Sequence, residues 1–260
     1  MDLGIRGRSA IVCGASKGLG LGSAQALAAE GVNVLMVARS ADALEAAAED
    51  LRRAAPDVAI TTCAADLSTA EGRDAVYAAS PQPDILVVNA GGPPVKDFRQ
   101  LNEQDWVAAL NSNLYGMTDL INRAVTGMCE RGFGRIVTIT SASVKMPMVG
   151  LDLSNAMRSG LVSYCKGISA GLAQHNVTIN SLLPGLHATE RLDGIFVARS
   201  AMMGKTPGEV EELSRNQVPA KRFGTAEEFG HFCAFMCSTH AGYMTGQTVL
   251  LDGGAYPGLA

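Results

Sequence analysis

"CGASKGLGLG", residues 13–22, decides the fold. It follows the apolar run "SAIVC" (9–13) and opens an alanine-rich segment, "LGSAQALAAEG" (21–31). Gly14, Gly18 and Gly20 stand at the spacing GxxxGxG. Glycine permits a tight turn and a close approach of backbone to a ligand. A helix that starts there presents free N–H groups and the positive end of its dipole, which together suit a phosphate. A glycine-rich turn alone is weak evidence. Set between a first strand and a first helix it points to a nucleotide, with Gly14, Ser16, Lys17, Gly18, Leu19 and Gly20 as the cradle.

The same alternation runs through the chain. "VNVLMV" (32–37), "VAITTC" (58–63), "DILVV" (84–88), "GRIVTIT" (134–140), "VTINSLL" (177–183) and "QTVLL" (247–251) read as six further strands. Their nearly unbroken Val, Ile and Leu content fits strands covered on both faces. Amphipathic segments lie between them. Ser68 with Glu71 and Thr225 with Glu228 have the form of capping boxes, and Asn102 is placed to cap "EQDWVAALNSNLYG" (103–116). Strands alternating with helices imply right-handed crossovers and a parallel, doubly wound α/β sheet of the Rossmann type. Such sheets bind ligands at the carboxyl ends of their strands.

Composition narrows the function. No linker, charge block or repeat divides the 260 residues, so one domain over 1–260 is expected. Hydrophobic residues make up 47% and charged ones 18%, enough for a large core. The net charge of −4 comes from interspersed acids and bases, which speaks against a nucleic-acid or membrane-surface partner. Cys13, Cys63, Cys129, Cys165, Cys233 and Cys237 show no metal-ligand spacing and read as free thiols in a reducing compartment. The first residues contain charges and no apolar run of signal length, and no stretch approaches the roughly 20 apolar residues of a membrane span. A cytoplasmic protein is expected.

The second strand ends in Arg39, followed by Ser40. An acid there would bond the ribose 2′-hydroxyl of NAD; an arginine suits a 2′-phosphate. Lys17 in the glycine turn is placed to join it, so the expected cofactor is NADP(H).

On these and further motifs the sequence resembles the short-chain dehydrogenase/reductase family, in particular its β-ketoacyl carrier-protein reductase-like branch, over nearly the whole chain. Asp66-Leu67 resembles the pair that contacts adenine. "VNAG" (88–91) resembles the family's NNAG, with Asn89, Ala90 and Gly91 in place and Val88 for the first Asn. "PGLHAT" (184–189) resembles the segment whose Thr, here Thr189, holds the nicotinamide carboxamide beside Pro184 and Gly185. "GQTVLLDGG" (246–254) resembles the last strand and its turn.

The resemblance implies carbonyl reduction by Asn, Ser, Tyr and Lys. It places Asn113 and Ser141 at the first two positions, with Asn111 a less favoured neighbour. At the last two it places Ser154 and Arg158. Arg158 is then expected to hold the nicotinamide ribose, with Ser154 facing the nicotinamide. Tyr164 is no substitute, because the residue four on is Ile168, not Lys. Asp152 is a candidate replacement acid, read as lying in the loop before Ser154, and Lys145 and His187 are weaker ones. An aliphatic hydroxyl is a far poorer acid than a phenol of pKa about 10, and a general acid contributes about 10²–10⁴-fold to rate. Two functions follow. One is an NADPH-dependent reductase of activated ketones, β-ketoacyl-type substrates or imines, with an atypical proton donor. The other is a catalytically impaired NADP(H)-binding sensor or oligomer partner. Residues 190–224 resemble a substrate lid, with Met146, Met148, Met202 and Met203 as candidates to line a cavity for an apolar small molecule. The segments at about 102–129 and 154–174, with the final helix and strand, resemble the family's interfaces, implying a homotetramer or homodimer.

Overall fold

The computed structural model describes residues 1–259, apart from the side chain of Met202. The seven apolar runs form one sheet: β1 (Ser9–Cys13), β2 (Asn33–Ala38), β3 (Ile60–Ala64), β4 (Ile85–Asn89), β5 (Gly134–Ile139), β6 (Val177–Pro184) and β7 (Thr248–Leu251). Their order is β3-β2-β1-β4-β5-β6-β7, every neighbouring pair parallel. Continuous apolar runs are explained by two cores. Along β1, Ala10 and Val12 enter one core while Ile11 and Cys13 enter the other, as alternate strand residues must. Residues 34–37 of β2 and 85–88 of β4 divide in the same way.

One face carries α1 (Gly18–Ala29), α2 (Ala41–Ala54) and α9 (Ala226–Met236). The other carries α3 (Ala70–Ala79), α5 (Gly116–Arg131) and α6 (Asp152–Ala173). Between α3 and α5 lie α4 (Glu103–Leu110) and one widened π turn, Asn111–Tyr115. Residues 190–224 are the expected lid region, built from α7 (Glu190–Met203) and α8 (Pro207–Gln217). Among the described residues, no helix is long and apolar enough to cross a membrane.

Local signals place most helix starts. Thr225 with Glu228 and Asn102 with Asp105 form capping boxes, and Thr206 with Glu209 forms a third at α8. The box expected at Ser68 is not formed. Asp66 takes both the N–H and the hydroxyl of Ser68, at 2.9 and 2.7 Å, so the chain turns one residue later. Thr69 caps α3 instead, accepting from the Gly72 N–H at 3.0 Å. The strand order reverses between β1 and β4, and the crevice at their carboxyl ends is where a ligand of such a sheet binds.

Candidate active site

At β1 the crevice is made of backbone. The chain leaves the strand at Gly14 (φ 63°) and enters α1 at Gly18 (φ 58°), both left-handed. A Cβ on Gly20 would stand 2.2 Å from the Gly14 carbonyl oxygen and 2.9 Å from that of Cys13, so α1 meets the strand end only through glycine. Leu19 and Ser16 are half-buried beside it. The N-cap residue of α1, Lys17, supplies no side-chain bond, and the first turn holds no acid. In contrast α2, α3, α4, α8 and α9 each have a capping side chain. The first N–H groups of α1 are thus left for a ligand, and the dipole selects an anion. Asn89 closes the turn from β4, its amide nitrogen 2.6 Å from where a Gly14 Cβ would be. Around a Cβ on Gly91 nothing lies within 4 Å, so the groove stays open there. An uncapped helix start with open space beside it fits a dinucleotide.

At the far end of this groove, Arg39 is exposed after β2, and Ser40 caps α2 by accepting from the Ala43 N–H at 3.4 Å. Bonds from Ser68, and then the charge of Arg39, hold the Asp66 carboxyl below its ordinary pKa, so Arg39 and Asp66 share one edge. The Leu67 carbonyl accepts from Arg73 at 3.0 Å. The Lys17 ammonium pairs with Glu190 at the start of α7, 2.5 Å away.

The opposite end is made of side chains. Asn113 is buried on the π turn; its amide donates to the Gly91 carbonyl at 2.9 Å, and its oxygen accepts from the Ser112 hydroxyl at 2.8 Å. The widened turn is what sets Asn113 against the end of β4, a common use of π turns at functional sites. Ser141, just beyond β5, accepts from the Ser143 N–H at 3.1 Å. Ser154 is buried, and its oxygen accepts from Arg158 Nε at 3.1 Å, the two side chains meeting at the i,i+4 spacing of α6.

Arg158 is largely enclosed. Its Nη1 donates to the carbonyls of Ile139 (3.0 Å) and Thr140 (2.7 Å), and its Nη2 to that of Ala90 (3.3 Å). The guanidinium therefore ties α6 to the ends of β4 and β5, a structural job beyond the expected grip on a ribose. Burial first, and then the charge of Arg191, lower its pKa to about 10. Arg191, in the first turn of α7, donates from Nη2 to the Pro93 carbonyl at 3.0 Å. No motif marks Arg191. Its one anomaly in the sequence is a cation where a helix dipole disfavours one.

The candidate acids are dispersed. Asp152 is the first residue of α6, not a loop residue, and lies two positions from Ser154. Residues so spaced on a helix do not face each other. His187 is buried edge-on against Phe229, ring centroids 5.5 Å apart, and burial lowers its pKa. Lys145 lies 5.7 Å over the Tyr256 ring. The Tyr164 hydroxyl meets Asn122 of α5. Pro184 ends β6, the Gly185 N–H donates to Leu251 at 2.9 Å, and Thr189 leads into α7 with its methyl group 3.5 Å from a Gly18 Cβ position. This brings the carboxamide-binding candidate over the phosphate turn. Beside Ala142 and Gly185 opens a cleft of about 320 Å³, lined by Met146, Met148, Leu186, Val218, Tyr256 and Arg199. Met203 is exposed elsewhere, and the side chain of Met202 lies outside the described residues.

The family described as enoyl-(acyl carrier protein) reductase matches residues 14–256. The chain belongs to the short-chain dehydrogenase/reductase family. Its relatives include the NADPH-dependent reductase BacG of Bacillus subtilis, 31% identical over 95% of this chain and 97% of that protein. The 3-oxoacyl-[acyl-carrier-protein] reductase FabG of Aquifex aeolicus is 28% identical over 98% of this chain and all of its own length. Among solved structures, L-sorbose reductase from Gluconobacter frateurii, complexed with NADPH and L-sorbose, superposes over the full length of both chains with a TM-score of 0.92 and 29% identity.

Proposed function

We propose that this protein is an NADPH-dependent reductase that transfers hydride to a carbonyl carbon without a phenolic proton donor. NADP(H) is supported by Arg39 beyond β2, by the open start of α1, and by relatives named as NADPH-dependent. When bound, the cofactor supplies the hydride.

One observation carries the reading of the chemistry. Arg158 Nε donates into the Ser154 oxygen at 3.1 Å. With that lone pair engaged by a cation, the Ser154 proton is directed to another acceptor. Ser141 stands beyond β5 on the cleft side, next to Ala142 of its wall. A substrate oxygen bonded by both hydroxyls would become an alkoxide under the field of the Arg158 charge, and its proton would come from solvent through Ser154. Preorganised donors of this kind stabilise developing charge wherever water is excluded. On this reading, Ser154 and Arg158 stand where the family's usual Tyr and Lys would be. The same cation disfavours a positively charged iminium, so of the two hydride acceptors considered, C=O is favoured over C=N. Ser154 bonded to the Arg158 cation, with Ser141 beyond β5, makes a donor set that a silent sensor does not need, which favours turnover.

The test is NADPH oxidation with activated ketones, β-ketoacyl thioesters and cyclic imines, in wild type and in Ser154→Ala. Reduction of activated ketones, lowered about 10²-fold or more in the variant with NADPH affinity kept, is the expected result. Turnover of imines alone, or of nothing while NADPH binds, overturns it. Ser154→Tyr with Arg158→Lys should shift preference toward plain ketones.

A homotetramer is also proposed, supported by exposed Trp106, Val107, Leu110 and Tyr115 along α4 and the π turn. Light scattering at micromolar concentration checks it; a single-chain mass refutes it.

A further inference from the structure

Arg158 comes from α6 and Arg191 from the first turn of α7, yet both reach one place. A Cβ on Gly92 would stand 2.9 Å from Nη2 of Arg191 and 3.7 Å from Nη2 of Arg158. Gly92 leaves room for the two guanidiniums to converge above the turn that follows β4. Among the described residues neither makes an ion pair. Their protein partners are neutral oxygens, which satisfy N–H groups but leave net charge uncompensated. Two like charges this close repel each other, and an anion placed between them would relieve that repulsion. The first turn of α7 also carries Glu190 and Asp193, but Glu190 is paired with Lys17 and, among the described residues, neither acid forms an ion pair with Arg191 or Arg158.

The cofactor phosphates are provided for elsewhere. Their cradle is the uncapped start of α1, which stands over β1. Arg158 is fixed to Ala90 after β4 and to Ile139 and Thr140 at the end of β5, so the pair stands over the gap between those strands. Ser154 bonds Arg158 there, and Ser141 follows β5 next to Ala142, which lines the cleft whose wall also holds Arg199 and Asp252.

We infer that Arg158 and Arg191 form an anion site at the hydride-transfer position, and that its occupant is a carboxylate of the substrate. Resting on the reductase reading above, this makes the substrate class keto acids with an apolar body. The carboxylate lies between the guanidiniums, the carbonyl at the two serine hydroxyls, and the body in the cleft of about 320 Å³ formed by Met146, Met148 and Tyr256. Hydride addition makes a new C–H bond, and the carbonyl π pair becomes an alkoxide. Carboxylate and alkoxide then face two cations until solvent protonates the alkoxide through Ser154.

The experiment uses the full chain loaded with NADP⁺ and, by calorimetry, 2-oxo-4-phenylbutanoate, its ethyl ester, and benzoate as an unreactive second carboxylate. The keto acid should bind at least tenfold tighter than the ester, and benzoate should compete with it. Arg191→Gln, at an exposed helix position that tolerates the change, should abolish the preference while changing NADPH affinity less than twofold. Equal binding of acid and ester, or no carboxylate binding, overturns the proposal. So does an Arg191→Gln variant that loses NADPH affinity and keeps the preference, because the arginine then serves the cofactor phosphates. Loss of the preference in Arg199→Gln instead would place the carboxylate at the cleft wall and overturn the assignment. NADPH oxidation with the same compounds separates the two readings. Selective acid binding without oxidation keeps the anion site and removes the reductase, whereas oxidation of neutral ketones with equal acid and ester binding does the reverse.

Discussion

Two enclosed arginines lie at opposite ends of β5, and they are built for different ends. Arg135, near the start of the strand, donates Nε to the Ser238 carbonyl, Nη1 to those of Gly134 and Asn176, and Nη2 to Asn176 Oδ1. Arg158, at the other end, also bonds four oxygens. Neither has a carboxylate, and burial lowers the pKa of both. Their surroundings differ. Arg135 lies 4.4 Å from the Phe133 ring centroid and is sealed in the core, and its cationic neighbour Arg8 is answered by Asp84 at 3.4 Å. The neighbour of Arg158 is Arg191, which among the described residues forms no ion pair, although Glu190 and Asp193 share its helical turn. A guanidinium that only pins backbone closes its own environment; one that also serves a ligand is left facing unpaired charge and open groove.

The largest effect should come from Arg135→Ala. The buried carbonyls of Ser238 and Gly134 lose a donor, at about 1–3 kcal/mol for each buried acceptor left bare, and the ties to the exposed Asn176 and the packing on Phe133 go with them. A stability loss of about 3 kcal/mol or more by urea titration is expected, with NADPH affinity unchanged in the fraction that remains folded. A specific loss of cofactor affinity in a stable variant would show that Arg135 serves a ligand as well. Arg158→Ala should lose less stability, about 1–2 kcal/mol, because removing an unanswered cation offsets part of the lost bonding. Its signature is functional: reduction is lost, and acid is no longer preferred over ester. Equal stability losses at the two sites would mean that Arg158 is only a strut.

The parts of this site that follow local rules were legible in the sequence. The glycine spacing, the seven apolar runs and the i,i+4 meeting of Ser154 with Arg158 are set by covalent geometry and helical period. Partners brought in by tertiary proximity were not. Nothing near Arg158 in sequence foretells the carbonyls of Ala90 and Thr140, and nothing near Gly92 foretells Arg191. The partner of Lys17 is hidden for the same reason, since Glu190 arrives from α7, far along the chain. Ser68 shows the local limit: a capping pattern lost to a carboxylate two residues earlier.

A third arginine stands at the far end of the groove, after β2. Arg39 is exposed and shares its edge with Asp66. NADPH should bind at least tenfold tighter than NADH, about 1.4 kcal/mol. Arg39→Asp should erase that preference by itself. Lys17→Glu should have the smaller effect, because Lys17 is held by Glu190, although an exposed ion pair of at most about 1 kcal/mol yields readily to a phosphate. Fluorescence titration with both cofactors decides, and equal wild-type affinities would refute the NADP(H) assignment.

The smallest effect concerns His187, which the sequence offers as an acid over the nicotinamide and the fold buries against Phe229. Burial lowers its pKa from the ordinary 6.5, so the folded protein keeps it neutral where the unfolded chain has begun to bind a proton. The unfolded state then holds more protons below pH 6.5, and stability must fall as pH falls through that region. Above it, the contribution is fully present. Thermal unfolding at pH 7.5 and 5.5 should show this decline, and His187→Gln should reduce its slope even where the substitution lowers stability overall. The pH dependence of kcat should carry no inflection that the substitution removes, because the ring faces the core and not the groove. If His187→Gln removes a limb of the rate profile and leaves the stability slope untouched, the histidine reaches the substrate after all. The proton then comes from α7's approach to the site, and the two serines with Arg158 only hold the oxygen it is delivered to.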